Sequence, residues 1–139
     1  SPQTQQTQQA PAGPLSAVET AFGFGAISMA NGMVSHSFKI KNTAPEPVRL
    51  ERLFTSCMCT TASLIQKGKK TGPFGMPGHG FVPPVKGIID PNEEIEIEVV
   101  FDPAAHGPAG VGEIERLVYL QDESQNGLAE LKITAMVTP

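Results

Sequence analysis

The sequence predicts an all-β fold, an immunoglobulin-like antiparallel β-sandwich of about seven strands, and three observations carry that prediction. Apolar and polar residues alternate with a period of two along several stretches, a pattern that half-buried strands explain and helices do not. Fourteen Gly and thirteen Pro in 139 residues punctuate the chain too often for long helices. Turn signals such as Asn31-Gly32 and Asn126-Gly127 fall between the alternating stretches. With 40% hydrophobic residues the chain can fill one core, so one domain is expected.

Residues 1–14 consist of Gln, Thr, Ser, Pro, Ala and Gly, which offer almost nothing to bury, and they read as a disordered N-terminal linker. Residues 15–139 form the domain. Phe22, Phe24 and Ile27, spaced by Gly23 and Gly25, predict a short edge strand with a kink. After Asn31-Gly32, the residues Val34, His36, Phe38 and Ile40 alternate with Ser35, Ser37, Lys39 and Lys41, which predicts a half-buried strand ending at Asn42. Val48, Leu50, Arg52 and Phe54 share one parity, so the next strand is expected to run straight into Ser56-Cys57-Met58-Cys59-Thr60. A further short strand is expected over 60–65.

Residues 66–92 hold a Lys67-Gly68-Lys69-Lys70 run, a Gly/Pro-rich stretch over 72–80 and Pro83-Pro84, and they read as a long insertion without an element of its own. The most regular alternation follows, with Ile95, Ile97, Val99 and Phe101 on one face and Glu94, Glu96 and Glu98 on the other. Residues 114–121 predict a strand whose facing is ambiguous, because Leu117 to Leu120 is apolar on both sides. The last strand, over 128–137, places Ala129, Leu131, Ile133, Ala135 and Val137 on one face.

These features, taken in order, resemble a known family. Phe22-Gly23-Phe24-Gly25 with Ile27, Gly32-Met33-Val34-Ser35-His36-Ser37-Phe38 ending in Lys41-Asn42, Thr55-Ser56-Cys57-Met58-Cys59-Thr60, and Ile89-Asp90-Pro91 before a strand ending Phe101-Asp102-Pro103 carry the resemblance. The family is the bacterial exported domain of unknown function numbered 1573, which is similar to Hydin-type and major-sperm-protein-type immunoglobulin-like domains. The resemblance implies a seven-stranded sandwich, a location outside the cytoplasm behind a signal or lipoprotein sequence, and no assigned catalysis. Met58 stands where the family usually has Gly, and the insertion over 66–85 is longer than expected.

Both cysteines sit in one motif, too few for a disulfide framework and too close to staple distant segments. In an extended strand Cys57 and Cys59 project from one face with Cα atoms about 6.5–7 Å apart, at the limit of an unstrained disulfide. Such a pair suits one soft cation, Cu(I) or Zn(II), with Met58, Met76 and His79 as further ligands; a thiol–disulfide redox pair and plain structural cysteines are the other readings. His36 falls on the apolar parity of its strand and needs a polar partner there. His106, between Ala105 and Gly107-Pro108, reads as a loop residue.

No nucleophile elbow, zinc-protease helix or phosphate-binding Gly loop is present, so no enzymatic activity is expected. A net charge of −4, with ten Lys and Arg scattered along the chain, argues against a nucleic-acid partner. No apolar run approaches the roughly 20 residues of a membrane-spanning helix. The expected function is a non-enzymatic, exported binding or scaffolding module of the cell envelope, in the periplasm or at the cell surface, with a lipoprotein anchor as one form of upstream attachment. Its expected partner is a protein or another envelope component. No cofactor is expected under this reading; a Cu(I) or Zn carrier and a redox protein are the alternatives.

Overall fold

The alternation over Glu94–Phe101 places its strand at the centre of a five-stranded sheet, with Ile95, Ile97, Val99 and Phe101 buried in the core. The computed structural model describes residues 14–77 and 83–139. The expected linker thus lies, except for Pro14, outside the described residues. In chain order the strands are β1 (Leu15–Ala17), β2 (Ala21–Ser28), β3 (Val34–Asn42), β4 (Val48–Leu50), β5 (Arg52–Thr55) and β6 (Thr60–Gln66). They continue with β7 (Lys69–Phe74), β8 (Gly87–Ile89), β9 (Glu94–Phe101), β10 (Gly112–Gln121) and β11 (Gly127–Thr138). Short 3-10 turns cover Met29–Asn31 and Gly107–Gly110.

One sheet has the order β1-β3-β9-β6-β7 and the other β2-β11-β10-β5, while β4 and β8 pair on their own. Phe38, Ile40, Ile95 and Ile97 from the first sheet and Leu53, Val118, Leu131 and Ile133 from the second are fully buried in one core. Each such side chain contributes about 1.5–3 kcal/mol on burial, so the two inner faces hold the sheets together. The fold is an all-β, immunoglobulin-like sandwich. Eleven strands rather than about seven are present among the described residues, because the stretch predicted from Val48 is divided in two, β1 precedes the first predicted strand and the insertion adds two.

The polar face of β9 is matched to its neighbours. Glu94 and Glu96 stand opposite Lys41 and Lys39 of β3, and Lys70 of β7 reaches the Glu98 carboxylate at 2.6 Å. Opposite charges across a strand pair are worth about 0.2–1 kcal/mol each and suppress register slips. The kink expected in β2 is also present. Gly25 has φ +76°, and the parallel pairing with β11 shifts register between Thr134 and Met136.

Two expectations fail, each for a physical reason. The strand predicted from Val48 into the cysteines breaks at Glu51. Its N–H donates to the Gln121 carbonyl while its own carbonyl accepts from the Val85 N–H, as the chain passes from β8 to β10. The inward parity therefore switches, burying Val48, Leu50, Leu53 and Thr55 and leaving Arg52 exposed. The insertion, expected to lack elements, contributes β7 and β8. Lys67 (φ 52°) and Gly68 (φ 78°) form the two-residue turn of a hairpin whose flanks, Gln66 and Lys69, are paired. β7 tolerates Pro73 because it is an edge strand.

Among the described residues the buried polar side chains are Asn42, Thr55, Thr60 and Ser63. Asn42 Nδ2 donates to the Glu46 and Ile89 carbonyls, and its Oδ1 accepts from the Ala44 N–H, all at 2.8–2.9 Å. It fastens the end of β3 to β8. Thr55 and Thr60 flank the cysteine motif.

Candidate functional site

Residues 56–59 form a turn between β5 and β6, and the expected strand geometry does not hold there. The Thr60 N–H closes the turn on the Cys57 carbonyl at 3.1 Å. Buried Thr55 supports it from below, its Oγ1 lying 2.9 Å from the Cys57 carbonyl and 2.7 Å from the Thr60 carbonyl. Ser56 is tied to β10 twice, through its N–H to the Leu117 carbonyl and through the Leu117 N–H to its own Oγ, both at 2.9 Å. The chain reverses because two neighbouring elements satisfy its backbone groups. Period-two parity cannot register such a reversal, since the residues on either side still alternate.

The reversal changes the sulfur geometry. The Cys57 and Cys59 sulfurs lie 2.7 Å apart, with Cys59 as donor, and both cysteines are free. Cys57 is half-buried and Cys59 is buried. Met58, at the apex, is 61% exposed.

Two more side chains converge on the thiols. His106 Nε2 is 3.1 Å from Cys57 Sγ, and Arg116 Nε donates to Cys59 Sγ at 3.2 Å. Arg116 is set by its place on β10 next to Leu117, and its Nη1 is held by the Glu115 carbonyl at 2.9 Å. His106 is delivered by the turn after β9. The Asp102 N–H donates to the Cys59 carbonyl at 2.9 Å, and Asp102 Oδ1 accepts from the Ala104 N–H, folding 102–106 back towards the sulfurs. Gly110 packs close on His106, where a Cβ would approach to 3.3 Å.

The surroundings set the two thiols apart. Burial opposes ionisation of Cys57, but the Cys59 thiol and N–H, His106 and the positive charge of Arg116 outweigh it and lower the Cys57 pKa from 9.0 to about 7. Burial and then the Cys57 side chain push Cys59 up, against the hydrogen bonds from Thr60 and Arg116. Hydrogen bonds and charges from both sulfurs raise Arg116 against its own desolvation. One thiol is thus readied to ionise and its neighbour to keep its proton.

Of the residues considered as ligands, Cys57 and Cys59 are brought together. Met58 points to the solvent side of the turn. Met76 is half-buried and follows Gly75, whose carbonyl accepts from the Thr55 N–H at 3.2 Å, so the chain returns beside β5 there. His79 lies outside the described residues. The two sulfurs and a ring nitrogen of His106 all lie within 4.8 Å of one another, a set with the soft donor chemistry of Cu(I) or Zn(II). Two thiolates sharing a tetrahedral zinc at about 2.3 Å stand roughly 3.7 Å apart. The sulfurs would therefore have to separate by about 1 Å, whereas about 0.7 Å of approach makes an S–S bond.

Sequence reasoning missed His106 and Arg116. Their distance from the motif in the chain, 49 and 57 residues, leaves no local pattern to find. His36 does find a polar partner, the Glu19 carboxylate, and its ring stacks on Phe22 at 3.6 Å and meets Phe38 edge-on. It braces β2 against β3.

Residues 15–75 match the family described as Protein of unknown function (DUF1573). The matched stretch contains Cys57 and Cys59 but ends before His106 and Arg116. No curated protein matches the sequence. Solved structures of similar fold include a protein of unknown function from Porphyromonas gingivalis W83, 17% identical over 89% of this chain and 46% of that chain, with a TM-score of 0.62. PapD-like domain 7 of human CEP192 is 10% identical over 99% of this chain and 94% of that one, with a TM-score of 0.52. The YadV chaperone is 13% identical over 91% of this chain and 53% of that one, with a TM-score of 0.51. At such identities the likeness is one of fold. The chain spans about half the length of the Porphyromonas protein. Among the described residues no helix is long and apolar enough to cross a membrane.

Proposed function

We propose that the domain is a non-enzymatic, exported binding module that takes up an extended segment of a protein partner at the cell envelope, by strand addition to β2. The observation that carries this reading is the composition of that edge. β2 is the outer strand of its sheet, and its eight residues, Ala21–Ser28, include no charge and no Pro. Edge strands are ordinarily guarded by such residues. The opposite sandwich sheet ends in β7, which carries Lys69, Lys70 and Pro73, while β1 and β5 are only 3 and 4 residues long. Backbone pairing along β2 supplies affinity, and its half-buried Phe22, Phe24 and Ile27, at the margin of the core, supply selectivity. The bulge at Gly25 limits the added strand to a short run.

The resemblance in fold to a chaperone and to a PapD-like domain supports a binding or scaffolding role, and the family resemblance supports export. Photo-crosslinking in cells tests both parts. A photoreactive residue at exposed Ala26 is expected to capture an envelope protein, and the same residue at Lys69 is not. A second protein carrying Ala21 as the probe site should lose its adduct when Ala26→Lys places a charge on the edge. Equal capture from β2 and β7, insensitivity to Ala26→Lys, or recovery of the protein in the cytoplasmic fraction overturns the reading.

A further inference from the structure

The cysteine turn carries more than packing requires. A bond between Cys57 and Cys59 would close a very short loop, removing little freedom from the unfolded chain, and the turn is already closed by the Thr60 to Cys57 hydrogen bond. The two thiols are nevertheless in contact at 2.7 Å and are unequal in access. Cys57 is half-buried, Cys59 is buried, and exposed Met58 carries the turn outward. An imidazole faces the accessible sulfur and a guanidinium faces the enclosed one. A partly exposed thiol in an electropositive setting, with a second thiol against it, is the arrangement that thiol–disulfide exchange uses.

We propose that Cys57 and Cys59 form a reversible dithiol–disulfide pair that exchanges two electrons with an accessible disulfide of another molecule, Cys57 attacking and Cys59 resolving. His106 Nε2, 3.1 Å away, accepts the Cys57 proton. The Cys57 thiolate attacks one sulfur of a disulfide R–S–S–R, forming Cys57–S–S–R and expelling one RS⁻. Cys59 then loses its proton to solvent while Arg116 Nε, 3.2 Å from the sulfur, stabilises the developing charge. Its sulfur attacks Cys57 Sγ to form the Cys57–Cys59 S–S bond, the bond from Cys57 Sγ to the sulfur of R breaks, and the second RS⁻ leaves. One disulfide has been reduced to two thiolates, and the two protein thiols have become one disulfide with release of two protons. The reverse sequence reduces the pair.

The exchange does not depend on partner capture at β2, so the two readings fail separately. The wild-type protein is equilibrated in mixtures of reduced and oxidised glutathione, in a second arm with a disulfide-linked model peptide, and its free thiols are counted by maleimide mass tagging. The expected result is a single two-electron transition from two tags to none, reversed by dithiothreitol, in at least one arm. A transition with glutathione alone identifies a small-molecule couple, and one with the peptide alone a polypeptide couple. With oxidised glutathione, Cys59→Ser should stall as the Cys57 mixed disulfide, and Cys57→Ser should react at least about tenfold more slowly. Arg116→Gln should slow the resolving step, with recovery in Arg116→Lys. Two thiols that stay reduced in both arms overturn the proposal, as does equal reactivity of the two serine variants. So does a reduced protein holding one equivalent of Cu(I) or Zn(II) that resists oxidation until the metal is removed.

Discussion

The reactivity of Cys57 offers the sharpest test of how its surroundings act on it. In Cys59→Ser, which keeps a hydroxyl donor beside Cys57, the rate of attack on an aromatic disulfide reagent reports Cys57 alone. With a pKa of about 7, half of the sulfur is thiolate at pH 7, against about 1% for a thiol at 9.0, a gain of about fiftyfold. Each thiolate is a weaker nucleophile for being a weaker base, which returns roughly a factor of six to ten over two pKa units. The net expectation at pH 7 is a rate about sixfold above an ordinary exposed thiol. The pH profile should rise, inflect near 7 and level off, because further base adds no thiolate. Arg116→Gln and His106→Ala should each move the inflection upward. A rate that climbs without a plateau through pH 9 would refute the reasoning, and so would an inflection indifferent to both variants.

The same shifts fix a dependence of stability on pH. The folded-state pKa of Cys57 is depressed, so its contribution is fully present above 9.0 and is lost as pH falls through about 7. Cys59 is shifted the other way, and its contribution, present below 9.0, is lost as pH rises further. Reduced protein melted between pH 6 and 10 should gain stability from the first across 7–9, an increment absent in Cys57→Ser. Asn42→Ala removes three hydrogen bonds at a fully buried site and should cost about 3 kcal/mol, read as a lower denaturant midpoint with an unchanged slope. Thr55→Val keeps the shape but takes the donor from two carbonyls of the cysteine turn. It should cost about 1–2 kcal/mol and slow disulfide closure. Gly72→Ala brings a Cβ to 2.9 Å from Ser63 Oγ at φ +128° and should destabilise by about 1–3 kcal/mol in thermal melts.

Local alternation was enough to predict most of the sandwich. β3, β9 and β11 were legible because one face of each packs on the core, along all of β9 and along most of β3 and β11, so the period of two survives in the residues. β7 was hidden by Gly72 and Pro73, which an edge strand accepts and which on composition alone read as loop. The break at Glu51 was hidden because its cause is a pair of hydrogen bonds to Gln121 and Val85, far away in the chain.

The cysteine site divides along the same line. An all-β chain with two soft sulfur groups in one motif between two strands is legible from the residues alone, since both follow from composition and short-range pattern. That those sulfurs meet at a turn, one accessible and one enclosed, between His106 and Arg116 emerges with the packing of the strands. Their juxtaposition depends on the register of β10 against β5 and on the Asp102 tether to Cys59, long-range pairings whose partners no local stretch of residues specifies.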